Sequence, residues 1–152
     1  MSLLHQKMSK IFIASDHAGF ALKNALAKHI RALGYEVEDM GAFAQNPDDD
    51  YPDFVTPLAR AVASDATARG IVVGGSGQGE AMCANRVKGV RATVFYGGSL
   101  ELVRLAREHN DANILSLGAR FVSGAEADEA ARIFLETPFS ESVRHARRLA
   151  KF

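Results

Sequence analysis

The sequence has one cysteine, no tryptophan and no excess of either charge, with 18 Lys and Arg against 18 Asp and Glu over 152 residues. A single cysteine permits no internal disulfide framework, so the expectation is a cytoplasmic chain held by its core. Neutrality argues against the broad basic field of a general nucleic-acid binder. Long apolar runs are also missing. Ile11–Ala14 and Gly70–Gly75 are far too short to cross a bilayer. The first ten residues lack the apolar core and small-residue cleavage site of a secretory signal.

What is present is the composition of a soluble globular domain, 47% hydrophobic and 24% charged. A chain of this length forms one domain and can bury roughly 70% of its unfolded surface. Residues 1–8 read as an N-terminal extension or residues added for expression, with Met8 a candidate start, and the domain as 9–152.

Strand-like and helix-like stretches alternate. Apolar runs at Lys10–Ser15, Tyr35–Met40, Arg69–Gly74, Arg91–Phe95 and Asn113–Leu117 predict five strands. Helical periodicity predicts helices over Phe20–Leu33, Gln78–Arg86, Leu100–Glu108, Ala125–Glu136 and Ser140–Lys151. A further helix to about Ser64 takes Asp53 as its N-cap, with Pro57 tolerable only near its start. The alternation implies an α/β fold: a single Rossmann-like three-layer domain with a five-stranded parallel sheet and a C-terminal helix.

Ligands of such sheets bind beyond the carboxyl ends of the strands. The Gly-rich loop Gly74–Glu80 there comes within one residue of two phosphate motifs and departs from both at position 80. A dinucleotide loop needs Gly at that place and a P-loop needs Lys, whereas a glutamate repels phosphate. What remains is a row of backbone N–H groups beside a carboxylate, Glu80, and a hydroxyl, Ser76. Such a set suits proton abstraction next to a carbonyl, because the enediolate formed is negative where the donors point. The plainer alternative is a tight strand–helix turn with Glu80 favouring the helix dipole.

Asp16-His17 reads either as a helix cap with an exposed histidine or as a hydroxyl acceptor beside an anion donor. His109 suits a helix C-terminus or a proton shuttle. Arg144, Arg147, Arg148 and Lys151 share one face of the last helix, either as a solvated stripe or as a grip on one phosphate. They carry no interleaved aromatic platform for nucleic acid and no apolar face for a membrane. No metal or cofactor is expected. The histidines show no ligand spacing, Asp48–Asp50 reads as a solvated acidic loop, and Cys83 as a buried, inert thiol.

Seven ordered motifs together resemble the ribose-5-phosphate isomerase B family, which includes the galactose-6-phosphate isomerase subunits. They are Asp16-His17-Ala18-Gly19, Asp50-Tyr51-Pro52, Gly75-Ser76-Gly77-Gln78-Gly79, Ala84-Asn85-Arg86-Val87, Ala106 to Asn113, Leu117-Gly118-Ala119-Arg120 and Arg144-His145-Ala146-Arg147-Arg148. The resemblance implies a metal-free aldose–ketose isomerase that interconverts ribose 5-phosphate and ribulose 5-phosphate through a cis-enediolate. By position it makes the N–H groups of Gly75, Gly77, Gln78 and Gly79 an oxyanion hole and Ser76 a proton carrier. Asp16 and Asn110 contact the sugar, and His109 assists ring opening. His17, Arg120, Arg144 and Arg148 hold the phosphate. Many members have a cysteine base where this chain has Gly74, so Glu80 matches the branch with a glutamate base. The resemblance also implies a homodimer or dimer of dimers with shared sites, His109 to Arg120 being the donated segment.

Substrate length stays open at this point. A tetrose, allose 6-phosphate or galactose 6-phosphate isomerase is a near alternative, and a non-catalytic sugar-phosphate-binding module is one of a different class. Charge order adds one expectation. Glu36 to Asp53 holds seven acids and no base, and Arg144 to Lys151 four bases and no acid. A neutral total therefore accommodates a focused site for a small anion.

Overall fold

In the computed structural model, which describes residues 9–152, five strands form one parallel sheet: β1 (Lys10–Ser15), β2 (Glu36–Asp39), β3 (Arg69–Gly74), β4 (Ala92–Phe95) and β5 (Ile114–Gly118). Their spatial order is β2-β1-β3-β5-β4. The reading of 1–8 as an extension lies outside the described residues. Among the described residues six α-helices accompany the sheet: α1 (Phe20–Ala32), α2 (Pro52–Ala63), α3 (Gln78–Ala84), α4 (Glu101–Asn110), α5 (Gly124–Glu136) and α6 (Val143–Leu149).

Alternate strand side chains point to opposite faces, which divides the core in two. Ile71 and Val73 of β3 join Ile11, Ile13, Leu115 and Leu117 under α1, α4 and α5, where Leu26, Ile30, Val103 and Phe134 are buried. Val72 faces the other way, with Ala14 and Ile114, against Val55, Leu58 and Val62 of α2 and Ala84 of α3. The three layers expected from the alternation are therefore formed.

Several boundaries shift by one to three residues from expectation, and three have a visible cause. Helix α2 starts two residues early, with Tyr51 at its N-cap and Pro52 in the first turn, so Asp53 is inside the helix and caps nothing. The earlier start leaves Pro57 in the second turn, where the helix forgoes one backbone hydrogen bond. Helix α6 begins at Val143, not Ser140, because Glu141 has φ 57°, a left-handed conformation that a helix cannot contain. Helix α3 stops at Ala84, and the side chain of Asn85 then exchanges two hydrogen bonds with the Ala92 backbone of β4, at 2.8 and 3.1 Å.

Candidate active site

From β1 the chain turns outward to β2 and then returns past β1 to β3, so the winding reverses between β1 and β3. Helix connections on opposite faces leave a crevice at such a reversal, beyond the carboxyl ends of the strands. Asp16 follows β1, Gly75–Glu80 follows β3, and Arg120 follows β5 at this edge.

The glycine loop is tied down along one side. The Ala119 and Arg120 N–H groups donate to the carbonyls of Gly74 and Gly75 at 2.8 and 3.1 Å. The Ser116 hydroxyl donates to the Gly77 carbonyl at 2.7 Å. Gly77 has φ 79°, a left-handed turn that glycine adopts without steric cost and that opens α3. Ser76 is half-buried, and its Oγ accepts the Gln78 N–H at 3.2 Å.

Glu80 lies in the first turn of α3 and is only 4% exposed. Its carboxylate fills the space beside Gly74, where a Cβ would fall 1.8 Å from Oε1. The sequence excludes a cysteine base at position 74, and the structure supplies the steric reason. No side chain fits there while Glu80 holds this position. Burial pushes the Glu80 carboxyl above its ordinary range, its own backbone N–H opposes that, and the charge of Asp16 adds to the rise.

Asp16, 6% exposed, caps the tight turn His17–Gly19 by accepting the Ala18 and Gly19 N–H groups at 3.0 and 3.4 Å. The capping role and the place at the rim therefore coexist. The Arg120 guanidinium covers Gly75, since a Cβ there would lie 3.2 Å from Cζ. Tyr51 belongs to a motif quoted from sequence without a role. Its hydroxyl packs against Gly79, 2.5 Å from where a Cβ would be.

Two sequence expectations need correction here. Asp48 and Asp50 are exposed, but the Asp49 side chain is largely buried and accepts the His17 N–H and Nδ1 at 3.0 and 2.7 Å. The His17 imidazole is half-buried, and Asp49 holds its pKa above the ordinary value. The run of three acids hid this, since its middle member turns inward. Cys83 is half-buried, not fully buried, with its Sγ 3.3 Å from the Thr56 hydroxyl.

Asp16, His17 and Asp49 form the one group of potential metal ligands among the described residues, with one atom each within 4.8 Å of the others. The short Nδ1–Oδ1 contact already joins two of those three residues, which is the chemistry of an ion pair.

The remaining expected residues stand elsewhere. His109 and Asn110 end α4, which runs back to the amino ends of the strands. There the His109 ring stacks on His145 at 4.3 Å between centroids, and the Ser140 N–H donates to Glu108 at 3.0 Å, docking α6 with Arg144 and Arg148. Asn110 also lines a cavity of about 520 Å³ with Asn85, Arg91 and Phe152. Five-residue β5, about 16 Å long, separates this cluster from the glycine loop. One chain thus unites Asp16, His17, the loop, Glu80 and Arg120, but not His109, Asn110, Arg144 and Arg148. Arg120 lies on its own chain's loop, which corrects the idea that His109 to Arg120 move as one donated segment.

The sequence profile of the Ribose/Galactose Isomerase family matches residues 11–152. The chain belongs to this family. A ribose-5-phosphate isomerase B of Mycolicibacterium paratuberculosis is 41% identical over 140 residues, covering 92% of this chain and 87% of that one. The crystal structure of ribose-5-phosphate isomerase B from Mycoplasma genitalium with bound ribulose-5-phosphate superposes with a TM-score of 0.90 at 40% identity, covering 95% and 94% of the two chains. The ribose-5-phosphate isomerase B of Clostridium thermocellum gives a TM-score of 0.87 at 44% identity, covering 93% of each chain. In this family member, the glycine loop and its buried glutamate lie at the reversal of the sheet.

Proposed function

We propose that Glu80 is the base of an aldose–ketose isomerase that interconverts ribose 5-phosphate and ribulose 5-phosphate. The observation that carries this reading is the Glu80 carboxylate, buried against Gly74 at the mouth of a loop of backbone N–H groups. In the open-chain sugar, Glu80 takes the proton from C2 of the aldose and returns it to C1, so one carboxylate serves both directions. Negative charge builds on the enediolate oxygens, which the N–H groups of Gly75, Gly77, Gln78 and Gly79 stabilise. Ser76 moves a proton between the two oxygens, and Asp16 accepts from the sugar hydroxyls. A raised Glu80 pKa suits this work, because a base that must also give its proton back is most effective near the working pH.

His17 and Arg120 hold the phosphate from the same chain. His109, which opens the furanose ring, and Asn110, Arg144 and Arg148 come from a neighbouring copy, since β5 keeps them from their own loop. The functional unit is therefore a homodimer, or a dimer of dimers, of domains spanning 9–152. Its substrate belongs to the pentose phosphate pathway, and the single cysteine suits the reducing cytoplasm.

The reaction in deuterated water tests the proton transfer. Solvent deuterium at C2 of recovered aldose or C1 of ketose is expected, while binding without exchange indicates a sugar-phosphate-binding module instead. Glu80→Gln is expected to lower kcat by about 10²–10⁴ while inorganic phosphate still binds. Undiminished turnover in that variant refutes the assignment.

A further inference from the structure

Asp49 has no part in the proton transfer, yet it is bonded to a group proposed to hold phosphate. One of its oxygens, Oδ1, takes both the backbone N–H and Nδ1 of His17. The side chain is 9% exposed, and Oδ2 is buried without a hydrogen-bond partner. A half-satisfied buried carboxylate is costly unless an opposite charge stands against it.

A carboxylate accepts and does not donate, so the 2.7 Å contact places a proton on Nδ1. In neutral imidazole Nε2 is then a bare lone pair, which repels a phosphate oxygen. Only the doubly protonated ring presents Nε2–H. We infer that Asp49 is a positioning residue for the phosphate end of the substrate, making the imidazolium the one form of His17 that binds phosphate. Substrate affinity, and not turnover, then follows the charge on His17. This rests on the reading of His17 as a phosphate ligand.

The groups facing His17 come from three segments. Asp49, on the loop before α2, acts most strongly and favours the charged ring, and Asp16 at the end of β1 adds to it. Arg120, beyond β5, and partial burial oppose it. The balance is upward, so the binding form persists to higher pH than in a free histidine and is lost as pH rises through the raised value.

Asp49→Asn keeps an acceptor of the same shape and removes the charge. Two measurements on the full chain test the inference. By NMR, the titration midpoint of the His17 ring is expected to fall in D49N. In the unaltered chain above that midpoint, the ring ¹⁵N shifts are expected to show the proton on Nδ1. With ribose 5-phosphate, the ratio of KM in D49N to KM in the unaltered chain is expected near one at pH 6. It should rise to about tenfold at pH 8 if the midpoint drops by about one unit, with the ratio of kcat flat. Titration of the substrate phosphate cancels in both ratios.

An unmoved midpoint, or the Nε2–H tautomer in the unaltered chain, overturns the role of Asp49 and leaves His17 as a ligand. A midpoint that falls while KM stays equal at every pH refutes His17 as a phosphate ligand, and the inference with it. A KM ratio that is raised equally at all pH overturns the coupling to charge.

Discussion

Glu80 and Gly74 share one volume, and this governs what substitutions at either place do. A methyl at position 74 would meet the carboxylate. Gly74→Ala is therefore expected to displace Glu80 and lower kcat by about a hundredfold or more, with an unchanged circular dichroism spectrum. The raised Glu80 pKa has its own signature. Proton abstraction needs the carboxylate, so kcat is expected to fall as pH drops through a value above the ordinary glutamate range. Asp16→Asn removes a neighbouring negative charge and should move this acid limb to lower pH. A limb that stays in place would show that burial alone sets it. Glu80 could be read from sequence because it occupies the place where two phosphate motifs demand another residue. Asp49 could not, because three consecutive acids give no sign of which one turns inward.

Among the elements, two asparagines stabilise the way into β4, the edge strand next to β5. Asn85 pairs with both polar groups of the Ala92 backbone. Asn113, buried just before β5, accepts the Arg91 N–H at 2.7 Å and donates to the Gly89 carbonyl at 2.9 Å. Asn113→Ala leaves the Arg91 N–H without a partner and the Gly89 carbonyl with only the Arg91 guanidinium at 3.3 Å, and should cost about 1–3 kcal/mol, measured by chemical denaturation. The elements themselves were legible, since five apolar runs and their intervening helices all form. Their ends were less so. Capping at Tyr51 depends on Pro52 starting α2, and the late start of α6 depends on one left-handed residue, Glu141. Neither leaves a periodic trace.

For the whole molecule, the separation of the glycine loop from His109 makes the proposed sharing of sites testable by mixing. Glu80→Gln and His109→Asn homodimers are each expected to be weak. After joint unfolding and refolding, half of the dimers are hybrids, and each hybrid has one intact site. Activity should return to about a quarter of the unaltered value. No recovery would mean that each chain completes its own site. The sequence named both residue groups through their motifs but not their distance apart, which is set by α4 running antiparallel to the strands. The neutral total charge has a spatial counterpart, as one member of the acidic stretch, Asp49, pairs with a histidine at the rim.

The volume shared by positions 74 and 80 also couples the two places in any redesign of the loop. A thiol introduced at position 74 would enter the space that the Glu80 carboxylate fills, so the glutamate would have to swing out or be shortened with it. The two positions thus behave as one unit of change, in which a side chain gained at 74 calls for a smaller or displaced one at 80.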